Sequence, residues 1–369
     1  MIVKQHRYLK HFDWITFLLT FSLSAIGLLF IFSATYKADQ PYSIFFKKQI
    51  FGVASGFVIY FLFSILDYRR LMKWGYYIYL GVISLLIFTI VKGKMGMGAQ
   101  RWVDLAFFRL QPSELAKLFF PAFVTYYLYE RKDNTAQFSF NTFIPILLIL
   151  GFSFLLIVKQ PDLGTALVLL FCGLITLWCA GINKKFFTYS FILVLLTAPI
   201  SWHFLKPYQK RRILVFVGYG DENKERYHLE QSKIAIGSGG LFGKGFLKGT
   251  QNKLRFLPES RTDFIFSVIA EESGFIGALF VLCLYMFLFF RLLIMIAHIK
   301  DHFVQLVALG IIIPIMLSAL INLCMVTGLL PIVGIPLPLI SYGLSNLWVT
   351  YAGLGWLSGI AMRRFYIHN

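Results

Sequence analysis

The chain has 369 residues, of which 58% are hydrophobic and 18% aromatic, while only 14% are charged, against about a quarter charged in an ordinary soluble domain. That composition excludes a disordered chain or an ordinary water-soluble enzyme and predicts one polytopic membrane domain over residues 1–369. Lys and Arg outnumber Asp and Glu by 35 to 17, a net charge of +18, which points to anionic partners such as lipid headgroups; the cations are scattered over many short loops, so no nucleic acid is expected.

A helix needs about 20 apolar residues to cross the hydrocarbon layer. In chain order, apolar runs predict spans at 15–33, 49–66, 74–91, 112–129, 143–158, 163–182, 186–205, 274–290, 304–327 and 344–362. The expected fold class is therefore all-α, a polytopic membrane protein with ten transmembrane helices. Lys4, Arg7 and Lys10 precede the first run as in a secretory signal, but the run is too long for one and no cleavage site follows it. The short loops on one side, with the N-terminal segment, carry 14 Lys and Arg against eight on the other, so the positive-inside rule places both termini in the cytoplasm. Cys172, Cys179, Cys283 and Cys324 all sit inside apolar runs without CxxC spacing, which predicts neither a disulfide nor a zinc site.

Charges within or at the ends of spans are costly, and each is a functional candidate. Arg101 follows the glycine-containing segment Met95-Gly96-Met97-Gly98 on the outer side. In Gln111-Pro112-Ser113-Glu114-Leu115-Ala116-Lys117 a helix start is expected at Pro112 or Ser113, with Glu114 and Lys117 on one face at i and i+3, where they neutralise each other. That pair reads equally as a structural tie or as the lining of a polar cavity. Lys159-Gln160-Pro161-Asp162 forms an outer turn; it is either a plain connection or a place where Lys159 and Asp162 project into the same cavity as Arg101.

Residues 206–262 form the single long connection, with 12 Lys and Arg against five Asp and Glu. It is expected outside the membrane, and loops of that length are usually functional. Within it, Gly237-Ser238-Gly239-Gly240-Leu241-Phe242-Gly243-Lys244-Gly245 lacks the spacing and the Ser or Thr of a phosphate loop. It is expected as a plain loop first, and as a pyrophosphate contact through its backbone amides second. The connection ends in Leu257-Pro258-Glu259-Ser260-Arg261-Thr262-Asp263, followed by Phe264, Ile265 and Phe266. Asp263 thus stands at the outer membrane edge beside apolar groups that partly desolvate it and favour a role as proton acceptor; the alternative is a helix-start Asp facing the helix dipole. Pro331, Gly334, Pro336, Pro338 and Gly343 break the segment before the last span into a re-entrant or half-inserted stretch, tolerated at membrane depth only when buried in protein or lining a cavity. His298 and His302 lack a third ligand and are read as surface residues.

The runs QPSELAK (111–117), KQPDLGTA (159–166), QSKIAIGSGGLFGKG (231–245), LPESRTDFIFSVIAEE (257–272) and GIPLPLISYG (334–343) resemble, in order and spacing, the shape, elongation, division and sporulation (SEDS) family of peptidoglycan glycosyltransferases. KGTQNKLRFLPES and GLLPIVGIPLP look more like its rod-shape branch than its division branch. The resemblance implies ten transmembrane helices with a large extracytoplasmic loop between the seventh and eighth, in a bacterial plasma membrane. It also implies polymerisation of lipid II into β-1,4 glycan strands during cell elongation, with Asp263 as the catalytic residue. Arg101, Glu114, Lys117, Lys159, Asp162, Arg212 and Gln231 are the expected substrate contacts. Charge on the departing pyrophosphate would be met by loop cations or by a divalent cation, Mg or Mn, held by Asp263 or by the substrate; no organic cofactor is expected. The implied partners are lipid II, a class B penicillin-binding protein and other membrane proteins of the elongation machinery. The chain departs from the family pattern at Arg261, where His is common, and at Ser273, Leu344 and Asn346. A lipid II flippase and a non-enzymatic scaffold remain as rival readings.

Overall fold

The computed structural model describes residues 12–96, 99–104, 108–132, 138–204, 210, 214–216, 224–253, 256–257 and 259–363. Helices occupy all ten segments expected to span: α1 (Trp14–Thr35), α2 (Ile44–Ile65), α3 (Tyr68–Lys92), α4 (Pro112–Glu130), α5 (Phe140–Lys159), α6 (Leu163–Cys179) and α7 (Lys184–Phe204). After a further helix α8 (Lys224–Ser238) and one turn α9 (Thr250–Lys253) come α10 (Ile265–Ala297), α11 (His302–Thr327) and α12 (Leu344–Arg363). Six of these, α1, α2, α3, α5, α10 and α11, are long and apolar enough to cross a membrane. Their starts are written locally: the side chains of Asp13, Ser43, Asp67, Asp162 and Asp301 accept first-turn amides of α1, α2, α3, α6 and α11, which satisfies donors that a helix cannot pair internally.

Helix α4 lies at the centre. All but four of its 19 residues are buried, and it packs against α3, α6, α11 and α12. Helix α12 is buried along almost its whole length and lies against α2, where the Tyr351 hydroxyl donates to Ser24 Oγ on α1 at 2.7 Å. A buried helix need not present an apolar surface to lipid, which is why α4 carries Glu114 and Lys117 without cost to the exterior.

Three features were not expected. The connection between α3 and α4 holds an antiparallel three-stranded meander, β1 (Lys94–Gly96), β2 (Ala99–Asp104) and β3 (Arg109–Leu110), with Met95 opposite Gln100 and Val103 opposite Leu110. Helix α8 stands in the connection read as a loop; Ser232 and Ala235 are buried and His228, Leu229 and Ile236 half-buried, a stripe at helical spacing that packs on α10 and α11. Helix α10 begins nine residues before the expected span and is broken at Gly274, whose φ of 68° is left-handed.

Candidate active site

Asp263 sits in the turn that leads into α10, immediately before the helix-start residue Phe264, so the positive end of the helix dipole lies beside its carboxylate. Phe264, Ile265 and Phe266 are buried and anchor the turn in the core, while Asp263 itself is half-buried. The turn is stitched to the Pro- and Gly-rich stretch 331–343. Ser341 Oγ donates to Thr262 O at 2.6 Å and accepts from Leu337 N at 2.8 Å, and Tyr342 N donates to Arg261 O at 2.9 Å. Asn322 Nδ2, from the C-terminal part of α11, donates both to Asp263 O at 2.9 Å and to Ile335 O at 2.7 Å. The Tyr285 hydroxyl on α10 donates to Pro338 O. Gly334 adopts φ 74°, and a Cβ there would stand 3.5 Å from Asp263 Oδ2. Ile335, Leu337, Leu339 and Ile340 are buried, so the irregular stretch is enclosed by protein, as its backbone requires.

Beside this turn opens a cavity of about 720 Å³ between the end of α1, the start of α2 and the segment ahead of α10. Its lining combines Lys37, Ser43, Ser260, Arg261 and Glu272 with apolar Ile44 and Phe45. Tyr342 packs edge-on against Phe45, with ring centres 5.4 Å apart. Burial raises the Tyr342 phenol above its ordinary value, opposed by the nearby positive charges of Arg261 and Arg109, so it is a neutral hydroxyl at pH 7.

The adjoining carboxylates hold the long connection in place. Glu271 is fully buried; its Oε1 accepts from Lys244 Nζ at 2.6 Å, Thr250 N at 2.7 Å, Thr250 Oγ1 at 3.0 Å and Gln251 N at 3.0 Å. Glu272 accepts from Ser33 Oγ at 2.5 Å and from Leu247 N at 3.2 Å. In the glycine-rich loop, read first as a plain loop and second as a pyrophosphate contact, the amides of Gly243, Lys244 and Gly245 bond within the protein, which favours the plain loop. Lys244 N and Gly245 N each donate at 3.0 Å, to Glu271 O and Glu272 O, and Gly243 N donates to Gly239 O at 2.9 Å. In return Phe275 N and Ile276 N donate to Gly240 O and Leu241 O, at 2.8 and 3.2 Å. The loop thus replaces helical bonds that the Gly274 break removes. A Cβ at Gly239 or Gly243 would come within 2.1 Å of a carbonyl oxygen of α10, which is why glycine stands there.

The other sequence candidates fall into separate groups. Strand β2 presents Arg101 to Asp162, with Nη1 3.4 Å from Oδ1; Asp162 also accepts from Gln111 Nε2 at 2.7 Å and caps α6. Glu114 and Lys117 form a buried ion pair at 2.9 Å, and Asn346, a departure from the family pattern, donates to Glu114 Oε2 at 2.9 Å. Lys159 does not join Arg101 and Asp162. It is exposed at the end of α5, whereas the next residue, Gln160, turns inward to donate to Leu86 O and Thr89 Oγ1. Gln231 is half-buried on α8, next to the Ser232 that bonds Ser267 of α10. Arg212 lies outside the described residues. Sequence reasoning missed Asn322, Ser341 and Ser33. Asn322 alone left a signal, a side-chain amide inside the apolar run 304–327; the hydroxyls of the other two are too common in helices and turns to stand out.

The FtsW/RodA/SpoVE family of cell cycle proteins matches residues 13–366. The chain belongs to this family. It is 39% identical to the peptidoglycan glycosyltransferase MrdB of Escherichia coli K12 over 96% of this chain and 94% of that protein. The crystal structure of the rod shape determining protein RodA of Thermus thermophilus superposes with a TM-score of 0.70 at 28% identity, covering 96% of this chain and 98% of that one. A chain of a peptidoglycan synthase complex that coordinates polymerization and crosslinking superposes with a TM-score of 0.80 at 28% identity, over 96% and 98% of the two chains. The resemblance to the SEDS family read from the motifs therefore holds over nearly the whole length, and within the FtsW/RodA/SpoVE family fold the Asp263 turn, the stretch 331–343 and the cavity meet at one end of the helix bundle.

Proposed function

We propose that this SEDS-family peptidoglycan glycosyltransferase polymerises lipid II during cell elongation, with Asp263 as general base. The observation that carries the assignment is the construction around Asp263: a carboxylate at a helix start, its backbone fixed by Asn322 and by the neighbouring Ser341 and Tyr342 bonds, beside a cavity lined by both charged and apolar groups. Fixing the backbone on both sides of Asp263 places its carboxylate at a set position in the turn, as proton transfer demands. In the reaction, Asp263 accepts the proton of the incoming sugar 4-OH as its oxygen attacks the anomeric carbon. The bond from that carbon to the diphosphate breaks, and the lipid diphosphate leaves as an anion, so one displacement converts the α linkage to β. An anionic leaving group needs charge stabilisation rather than a proton, which accounts for one carboxylate in place of the pair that glycosidases use.

Among the described residues no cluster of three or more His, Cys, Asp or Glu side chains is arranged to hold a metal. An Mg or Mn ion would be carried by the substrate phosphates, as Mg sites with few protein ligands are built, where it would neutralise charge on the diphosphate and leave Asp263 to accept the proton. In this reading all ten long helices cross the plasma membrane, the termini are cytoplasmic, and the 206–262 connection and the Asp263 turn face outward, where the lipid tail stays in the bilayer while its headgroup reacts. A class B penicillin-binding protein is the partner, and the likeness to a complex that couples polymerization with crosslinking supports it.

The test is glycan-strand synthesis from labelled lipid II by the purified chain, with and without a cognate class B penicillin-binding protein. Asp263→Asn, which keeps shape but cannot accept the proton, is expected to lower turnover by about 10²–10⁴-fold with thermal unfolding unchanged. Wild-type turnover in Asp263→Asn would exclude the base assignment. Absence of strands from wild type with partner and divalent ion present would move the reading to transport, tested by lipid II flipping in liposomes.

A further inference from the structure

We propose that Arg261 binds the diphosphate of the lipid-linked substrate at the wall of the 720 Å³ cavity; this rests on the polymerase reading above. Arg261 lines that cavity two residues before Asp263, and its carbonyl is fixed by Tyr342 N. Its guanidinium carbon stands 3.9 Å from the centre of the Phe45 ring, so one side of the cation lies against a π face that favours it and strips its water. Among the described residues no carboxylate is ion-paired with it. The two carboxylates that share the cavity bond to other groups rather than to Arg261: Glu259 Oε2 accepts from Thr262 Oγ1 at 3.2 Å, and Glu272 accepts from Ser33 and Leu247. A partly desolvated guanidinium without an ion-paired carboxylate suits an anion, and its planar fork matches a phosphate better than an ammonium does.

The surrounding chemistry selects a lipid-linked anion rather than a free one. Lys37 and Ser260 supply further polar groups, while Ile44, Phe45 and Leu257 add apolar surface to the lining. Tyr36, Tyr42 and Ile44 are exposed large side chains at the α1–α2 end of the cavity, on helices long and apolar enough to cross the bilayer. A molecule with a diphosphate head and an isoprenoid tail satisfies both halves of that lining.

The test is equilibrium binding of undecaprenyl pyrophosphate, undecaprenol and inorganic pyrophosphate to the purified full-length chain, beside lipid II polymerisation. Arg261→Gln is expected to weaken undecaprenyl pyrophosphate binding by about tenfold or more, the size of a lost charge-assisted hydrogen bond, and to raise KM for lipid II, while undecaprenol binding stays unchanged. Arg261→Lys, which keeps the charge but loses the fork, is expected to fall between the two and stands in if Arg261→Gln does not fold. Wild-type affinity for undecaprenyl pyrophosphate in both variants, with polymerisation still abolished by Asp263→Asn, overturns the proposal and leaves the polymerase reading intact. Wild-type chain that binds the lipid diphosphate through Arg261 but makes no strands overturns the polymerase reading instead. Inorganic pyrophosphate binding as tightly as the lipid form overturns the lipid assignment.

Discussion

At the scale of single residues, the Asp263 turn depends on partners far away in the chain. Gly334 is one such partner, because it combines a left-handed φ of 74° with a position in van der Waals reach of the Asp263 carboxylate. Gly334→Ala is expected to cost about 1–2 kcal/mol in backbone strain; relaxation of that strain shifts the backbone next to the Asp263 carboxylate, so that turnover on lipid II falls by a larger factor than the small drop in thermal stability would account for. Equal loss of folded protein and of activity would show that the strain is spread through the fold instead. Asp263 was legible in the sequence because a carboxylate between a polar connection and an apolar run is conspicuous. Asn322 and Ser341 were not, since their bonds to Asp263 O and Thr262 O span 59 and 79 residues, and no local pattern encodes such a pairing.

Among the elements, the break in α10 and the loop that fills it form one unit. Glu271 collects four donors from Lys244, Thr250 and Gln251, so Glu271→Ala leaves those groups to find water or go unpaired. The expected loss is about 1.5–3 kcal/mol, the range for hydrogen bonds to a charged group, seen as a lower unfolding temperature and as faster tryptic cleavage at Lys244 and Lys248. Unchanged cleavage would mean that the backbone bonds alone hold the loop. The long helices were readable because each is an apolar run of 17 or more residues. The meander was not, because strands of two to six residues beside Gly96 and Gly98 carry too few side chains to show an alternation. Helix α8 escaped for a different reason: its fully buried positions are Ser232 and Ala235, while the large apolar Leu229 and Ile236 are only half-buried.

For the molecule as a whole, the buried Glu114–Lys117 pair tests whether the bundle centre is held by charge or by packing. Lys117→Met strands a buried carboxylate and is expected to cost about 3–5 kcal/mol, whereas Glu114→Gln with Lys117→Met removes both charges and is expected to recover most of that stability, measured by thermal unfolding in detergent. Failure of the double variant to recover would assign Lys117 a further partner in the functional state. The pairing itself was readable from the i, i+3 spacing; that it packs beneath Asn346 of α12 was not, because adjacency between helices 232 residues apart is decided by three-dimensional fit. The Gly274 break has one more consequence. Because four loop-to-helix backbone bonds, made by Lys244, Gly245, Phe275 and Ile276, stand in for those the helix lacks, the 206–262 connection is not an interchangeable part. A chimera that grafts this connection from a relative will assemble when the donor brings glycine at the equivalents of 239 and 243, and the safe splice points lie outside the pair of segments 238–253 and 265–276, moved together as one cassette.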